Sequence, residues 1–281
     1  MPVVITEKNL LVLQTLAKYY VLSRSMIQEM CFPHVKSSRS VCERLRKLKR
    51  YGYISQATME VVLAGQNATP VYFPNKKTAQ TLADAFGNSD YENVFCRPPS
   101  GRLLFHWLEI SRTHWQVNQA SKVESLSLHD WFNEWEPINK SEPKASKRFS
   151  LVTDFGKSSC APDAGFLIEN RSGAKKVFYV EVDRGTDSIR RIVSKKPNGY
   201  AKMYERDIHA QHFRDKTVAD FSVLFITTTE YRRDALTQKA NSFKRNELWK
   251  FACRKDLSPD TFFSESVWHS ANEEPHSLVQ R

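Results

Sequence analysis

Glycine is scarce in this chain: nine residues in 281. No glycine-rich run and no G-x-x-x-x-G-K-[ST] string is present to wrap phosphates, which excludes a Walker-type nucleotide cradle. H-E-x-x-H is also missing, so a zinc protease of that type is excluded. The eight histidines (His34, His106, His114, His129, His209, His212, His269 and His276) contain no histidine–hydrophobe–histidine triplet, and "HAQH" has the wrong spacing for one. Cysteine is low and odd in number, with Cys31, Cys42, Cys96, Cys160 and Cys253 scattered and no C-x-x-C pair. That pattern argues against a disulfide framework or a cysteine zinc site and leads us to expect a reducing cytoplasm. Long apolar runs are absent too. The opening stretch, "MPVVITEKNLLVLQTLAKYY", carries Glu7, Lys8 and Lys18, so neither a signal peptide nor a membrane segment is expected.

What the chain has is positive charge. Hydrophobic residues make up 41% and charged residues 26%, ordinary for a soluble globular protein, but 42 Lys+Arg against 31 Asp+Glu leave a net charge of +11 and a pI near 9.4. Such an excess attracts polyanions at long range, and nucleic acid is the first partner to consider.

The first 90 residues read as helices followed by a hairpin. Thr6 is placed to cap a helix running to about Tyr20, with Leu10, Leu11, Leu13, Leu16 and Ala17 on its apolar face. Ser23 caps a short second helix that stops before Pro33. Ser37 or Ser38 caps a third, ended by Gly52. In that third helix Val41, Leu45 and Leu48 form one stripe, and Arg39, Arg44, Arg46, Lys47, Lys49 and Arg50 occupy much of the rest. Two β-like runs separated by "GQN" follow, then a helix over "KKTAQTLADAF". This is the order of a winged helix-turn-helix, in which the third helix enters the major groove and the hairpin touches the flanking backbone. The competing reading is a solvated basic face on a helical bundle.

"GNSDYENVFCRPPSG" concentrates turn residues, so residues 91–101 are expected to link a first domain, 1–90, to a second, 102–256. "RLLFHWLEISRTHWQVNQAS" is helical, with Leu104, Trp107, Leu108, Ile110, Trp115 and Val117 as core candidates. A short strand is expected near "SLSLHDWFNEWEP", and an exposed loop over "NKSEPKASKRFSL". "CAPDAGFLIEN" and "KKVFYVEVD" are strands joined by an "RSG" turn. A helix interrupted at Pro197 to Gly199 comes next, then a buried strand "ADFSVLFITTTE" and a helix "YRRDALTQKANSFKR". Residues 257–281 read as a polar, poorly ordered tail.

The chemistry concentrates in the hairpin. Asp163 begins one arm and Glu181 ends the other, so an antiparallel turn brings both to the same end. Glu181 and Asp183 share a face, with Val182 pointing into the core. Carboxylates gathered this way suit Mg²⁺ or Mn²⁺, which take hard oxygen ligands and water, and they repel one another when no cation is present. The alternative is structural: the acids pair with Arg184, Arg190 or Arg191, or Asp183 and Asp187 cap the helix starting at Ser188.

"PDAGF…FYVEVDRGTDS…K…Y…VLFITTTEYRRDAL", together with "ITEKNLLVLQTLAKYYVLS" and the histidine of "LLFHWLEI", resembles the plasmid replication-relaxation family, which includes the MobC-type conjugative relaxases. The resemblance covers most of the chain, and "EVDRGT" is its most specific element. It implies an α/β chain of the α+β kind: an N-terminal winged helix-turn-helix followed by a restriction-endonuclease-like, mixed-sheet domain of the PD-(D/E)XK class. It further implies cutting of one DNA strand at a plasmid transfer origin, with Mg²⁺ or Mn²⁺. The partners expected from it are duplex DNA at that origin, an accessory relaxosome protein and a conjugative coupling protein.

By the same resemblance Asp163 matches the PD acid and Glu181 the (D/E) position. Asp183 stands where the motif lysine is expected, so Lys195, Lys196 or Lys202 on the next helix must supply it, unless these lysines merely contact phosphate or keep the surface soluble. Lys196 and Tyr200 resemble a K-x-x-x-Y element. Tyr200 and Tyr204 are candidate attacking groups, with burial in the core as the alternative. His106 and Glu109, one turn apart, are accessory candidates beside an ordinary core role. Arg184 and Arg233 are placed either to hold phosphates or to pair with acids. The commonest relaxases use the histidine triplet and an N-terminal tyrosine, and that mechanism is excluded here. Two rival readings remain: a binding-only replication initiator or transcriptional regulator, favoured by Asp183 in the lysine position, and a restriction-type or junction-cleaving nuclease.

Overall fold

The computed structural model describes residues 5–59, 69–136 and 151–279. The "GQN" turn between the two β-like runs and residues 139–150 of the loop expected over 139–151 lie outside these residues, and Leu151, expected to be exposed, is fully buried. The chain divides into two compact units, residues 1–113 and 114–281.

The first unit is a winged helix. Helix α1 (Glu7–Tyr19) follows Thr6, whose side chain makes no cap bond, and buries Val12, Leu13 and Leu16. A two-residue strand β1 (Leu22–Ser23) leads to α2 (Arg24–Cys31), where the Ser23 hydroxyl accepts the Met26 N–H. Helix α3 (Ser38–Arg50) begins with the Ser37 hydroxyl accepting the Arg39 N–H, and it turns Val41, Leu45 and Leu48 inward. Gly52, at φ +73°, makes the turn out of α3 in a conformation that only glycine adopts without strain. Strands β2 (Ser55–Thr58) and β3 (Pro70–Phe73) pair antiparallel, and β3 also pairs with β1 to give the order β1-β3-β2. Helix α4 (Lys76–Phe86) starts with a reciprocal capping box between Asn75 and Thr78 and ends at Gly87 in the left-handed region.

Residues 91–101, expected as a linker, are packed onto this unit. Phe95 lies edge-on to Tyr20 with ring centroids 5.0 Å apart and also meets Trp107. Tyr91 packs at a tilt against Phe86, ring centroids 5.8 Å apart, and its hydroxyl accepts a hydrogen bond from Gln14 at 3.1 Å. The turn-forming residues hid these aromatic anchors. The division between units falls instead inside the long helix α5 (Leu104–Val123), between Thr113 and His114. Of the core candidates in α5, Leu104, Trp107, Leu108, Ile110 and Val117 are buried, and Trp115 is half-buried.

The second unit is built on a five-stranded mixed sheet. Strand β4 (Ser127–Asn133) lies at one edge, and a small β5–β6 ribbon (Thr153–Asp154 with Ser159–Cys160) stands apart from the main sheet. Next come β7 (Ala164–Glu169), β8 (Lys175–Val182), β9 (Phe221–Thr227) and β10 (Trp249–Cys253). The spatial order is β10-β9-β8-β7-β4. β10, β9 and β8 run parallel, while β7 is antiparallel to both β8 and β4. Strands β8 and β9 are apolar almost throughout because both faces of the sheet are covered. On one face Val177, Tyr179, Phe221, Val223 and Phe225 pack with residues of α6 (Ile189–Glu205) and α8 (Glu230–Ala240). On the other, Phe166 stacks with Trp131 and meets Phe263 edge-on.

Two expectations are corrected in this unit. Helix α6 is continuous through Pro197 and ends at Glu205, and a short helix α7 (Ile208–His212) follows. A proline inside a helix forfeits one backbone bond. Here Ile192, Pro197, Gly199, Tyr200, Ala201 and Met203 are all buried, and that packing holds the helix in place. The approach is close: a Cβ on Gly199 would come within 3.0 Å of the Cys160 side chain. The second correction concerns the tail. Through residue 279 it is packed, with Phe262, Phe263 and Trp268 fully buried. The Trp268 indole N–H reaches the Phe262 carbonyl at 2.8 Å, and His269 bridges to Phe251 of β10.

Candidate active site

Three buried acids gather at the ends of β7 and β8: Asp163, Glu181 and Asp183, with 8%, 2% and 8% of their surface exposed. Strand pairing puts them there. Ala164 faces Val180, so Asp163 and Glu181 lie at the same end of the hairpin, and the Asp163 N–H donates to the Val180 carbonyl at 3.1 Å. Asp163 Oδ2 accepts the Val182 N–H at 2.7 Å. Val182 itself is buried opposite Ile226 of β9.

Glu181 is held from α6. The Lys196 ammonium donates to Glu181 Oε2, and the Tyr200 hydroxyl donates to Oε1 at 2.6 Å. The four-residue spacing of Lys196 and Tyr200 puts both on one side of the uninterrupted helix. Burial raises the Glu181 carboxyl above the ordinary glutamate range, and Asp163 adds to this; the Lys196 charge and the two hydrogen bonds oppose it. Burial would lower the Lys196 ammonium, but Glu181 and Asp163 outweigh it and hold the proton firmly. Burial, then the Glu181 charge, pushes Tyr200 well above the usual tyrosine range. Tyr200 is therefore a buried hydroxyl that orients Glu181.

Asp183 is engaged differently. Arg232 of α8 donates through Nε to Oδ2 and through Nη2 to Oδ1 at 2.9 Å, and Nη2 also reaches the Asp187 carbonyl. The bidentate fork suits a carboxylate well. Gly185, at φ +75°, turns the chain so that its N–H reaches Asp183 Oδ1 at 3.0 Å. The "EVDRGT" string is thus a strand end closed by a tight turn and tied to α8. The cap of α6 is Ser188, whose hydroxyl accepts the Arg191 N–H, while Asp187 pairs with Arg191 at 3.1 Å.

Lys195, Lys202, Tyr204, Arg184 and Arg233 have other surroundings. Lys195 is exposed. Lys202 donates to Ser158 at 2.8 Å and sits over the Phe155 ring. Tyr204 is half-buried beneath the Arg245 guanidinium. Arg233 pairs with Asp234 and Asp256, and Arg184 is half-buried. His106 and Glu109 are half-buried on α5 in the first unit.

Two residues of this site were not read from the sequence. Arg232 lies 49 positions from Asp183, and nothing local marks it as that residue's partner. Glu134 follows β4. Its N–H donates to the Asp163 carbonyl at 2.9 Å, and a carboxylate oxygen lies within 4.8 Å of one from Asp163. Asp163 and Glu134 thus bring two hard oxygen donors close together, the type that Mg²⁺ or Mn²⁺ prefers.

On α3, Arg39, Arg46, Lys47, Lys49 and Arg50 are exposed. Arg44 is turned inward, donating to Asn9 Oδ1 and lying over the Phe32 ring. Among the described residues no helix is long and apolar enough to cross a membrane.

Two solved structures show remote similarity. A chain from the crystal structure of Bacillus subtilis PadR in complex with operator DNA matches at 15% identity and a TM-score of 0.27, over 51% of this chain and 92% of that one. The restriction endonuclease FokI matches at 12% identity and a TM-score of 0.31, over 86% of this chain and 40% of FokI. At such scores neither match defines the fold or the chemistry here. No curated protein matches this chain. The replication-relaxation family model matches residues 13–217, and the chain belongs to that family.

Proposed function

We propose that the protein is a plasmid mobilisation relaxase: a metal-dependent nickase that cuts one DNA strand at a transfer origin. The observation that carries this reading is Glu181, a buried acid across the hairpin from Asp163, with Lys196 and Tyr200 fixed on its two oxygens. Lys196 takes the place of the motif lysine, reaching the site from α6 while Asp183 is occupied by Arg232. Asp163, Glu134 and Glu181 would hold Mg²⁺ or Mn²⁺, which would polarise the scissile phosphate and acidify a water. The Lys196 ammonium is placed to offset charge developing on the phosphate. Tyr200 fixes the Glu181 rotamer through its hydrogen bond. The exposed cations of α3 would bring the duplex to the protein, and an accessory relaxosome protein and a coupling protein are the expected partners.

A second reading, a winged-helix origin-binding initiator or regulator that does not cut, is favoured by Asp183 in the lysine position and its firm pairing with Arg232. Nicking of supercoiled plasmid carrying the cognate origin separates the two. The relaxase reading expects relaxation with Mg²⁺ or Mn²⁺, none with EDTA, and none from Asp163→Ala even though it still binds the origin. Origin binding with no nicking under any metal, even with the accessory protein added, would establish the regulator.

A further inference from the structure

We propose that the outward face of α6 is a track for the phosphodiester backbone of a DNA strand, and that it delivers the strand to the acids held by the next face of the same helix. This rests on the nuclease reading above. Arg191, Lys195, Asn198, Lys202 and Arg206 recur at spacings of four, three, four and four. At about 100° per residue these positions fall within an arc of roughly 80°. Arg191, Lys195, Asn198 and Arg206 are exposed, and Lys202 is half-exposed. From Arg191 to Arg206, the residue that caps the helix end, the rise is about 22 Å. A DNA strand presents a phosphate every ~3.4 Å of duplex axis, so about six phosphates lie alongside, enough for each of the four cations to meet one.

Asp154 on the β5–β6 turn and Asp207 after Arg206 are exposed acids nearby, but two others leave the cations available. Glu205, at the margin of the arc, is taken by Lys244. Asp187 pairs with Arg191, but both side chains are more than half exposed, at 51% and 61%, and such surface pairs exchange readily for a phosphate. The β5–β6 turn steadies the far end: Phe155 lies beneath both Lys202 and Arg206, at 5.5 Å and 5.0 Å from the ring centre, and Ser158 accepts from Lys202. Lys157 adds an exposed cation on the same turn. Lys196 and Tyr200 project from the adjoining face onto Glu181. A single rigid element therefore carries both the cation line and the lysine at the acids.

The test is the salt dependence of equilibrium binding by the full chain to non-specific duplex DNA. The background carries Arg46→Gln, Lys47→Gln and Arg50→Gln, so that α3 contributes less. Each phosphate contact adds about 0.9 to the slope of log K against log salt. Adding Arg191→Gln, Lys195→Gln and Arg206→Gln should reduce the slope by up to ~2.7. In otherwise wild-type protein the same triple change should raise KM for nicking about tenfold or more with kcat nearly unchanged, and Arg191→Lys, Lys195→Arg and Arg206→Lys should restore it. Asp163→Ala should keep the full slope. Thermal melting confirms that each variant is folded. An unchanged slope in the folded triple variant overturns the track. If the wild type does not nick, the nuclease reading fails, while the slope still decides the surface.

Discussion

Lys196→Met tests the pairing at the centre of the site. The substitution keeps the buried stem and removes the ammonium, leaving Glu181, with 3% of its side chain exposed, only the Tyr200 hydroxyl. Breaking a buried ion pair from one side costs about 3–5 kcal/mol. Glu181 can limit the loss by taking a proton, because burial already raises its carboxyl pKa, so a loss of about 2–3 kcal/mol is expected near neutral pH. The sign with pH follows. In the variant the folded-state pKa of Glu181 lies further above its unfolded value, so stability is retained below the unfolded pKa and lost as pH rises through the folded one. The deficit should therefore be larger at alkaline than at mildly acidic pH. Urea unfolding in EDTA measures it, and a double-mutant cycle with Glu181→Gln should return a coupling of roughly 2 kcal/mol. A Lys196→Met protein as stable as wild type, with additive effects in the cycle, would refute the pairing.

Two further outcomes follow from packing and titration. Trp268→Ala should cost about 3–5 kcal/mol, since it removes a fully buried indole from the closing segment; a loss under about 1 kcal/mol in urea unfolding would mean that this segment does not pack. Burial, assisted by His209, pushes the His212 imidazole down to about 4 from an ordinary 6.5. Its Nδ1 meets the Tyr179 hydroxyl at 2.7 Å. Between those two values the unfolded chain binds a proton that the folded chain refuses, so stability falls as pH falls through that window, by up to ~3 kcal/mol. Urea midpoints should show this slope, and His212→Gln should flatten it; equal slopes in the two proteins would contradict the assignment.

Much of this architecture is legible in the sequence because local signals agree with the tertiary result. The β7–β8 hairpin announces itself through β-branched and aromatic runs around "RSG", and the winged helix through Ser23, Ser37 and Gly52 at its helix ends. Other features were hidden because distant contacts decide them. Pro197 argues for a break, yet the buried face of α6 carries the helix through it. The tail looks polar by composition, although three of its aromatic side chains are fully buried and Phe263 meets Phe166 of β7. Strand β10 is five residues long, and its first, third, fourth and fifth side chains are buried, so it lacks the alternation that marks a strand. Asp183 resembles a ligand in the sequence, and only the fold brings Arg232 to it. Glu134 stands in a stretch without periodicity, and its nearness to Asp163 comes from the pairing of β4 with β7.

The central claim is that Asp163 and Glu181 together hold a divalent cation. Titrating Mn²⁺ into the metal-free full chain, followed by calorimetry and electron paramagnetic resonance, tests this without depending on DNA or turnover. The account predicts Mn²⁺ binding that weakens at least about tenfold in both Asp163→Ala and Glu181→Gln, equivalent to about 1.4 kcal/mol or more, with no change in the exposed control Asp90→Asn. Equal Mn²⁺ binding in all four proteins, or none in the wild type, would contradict it.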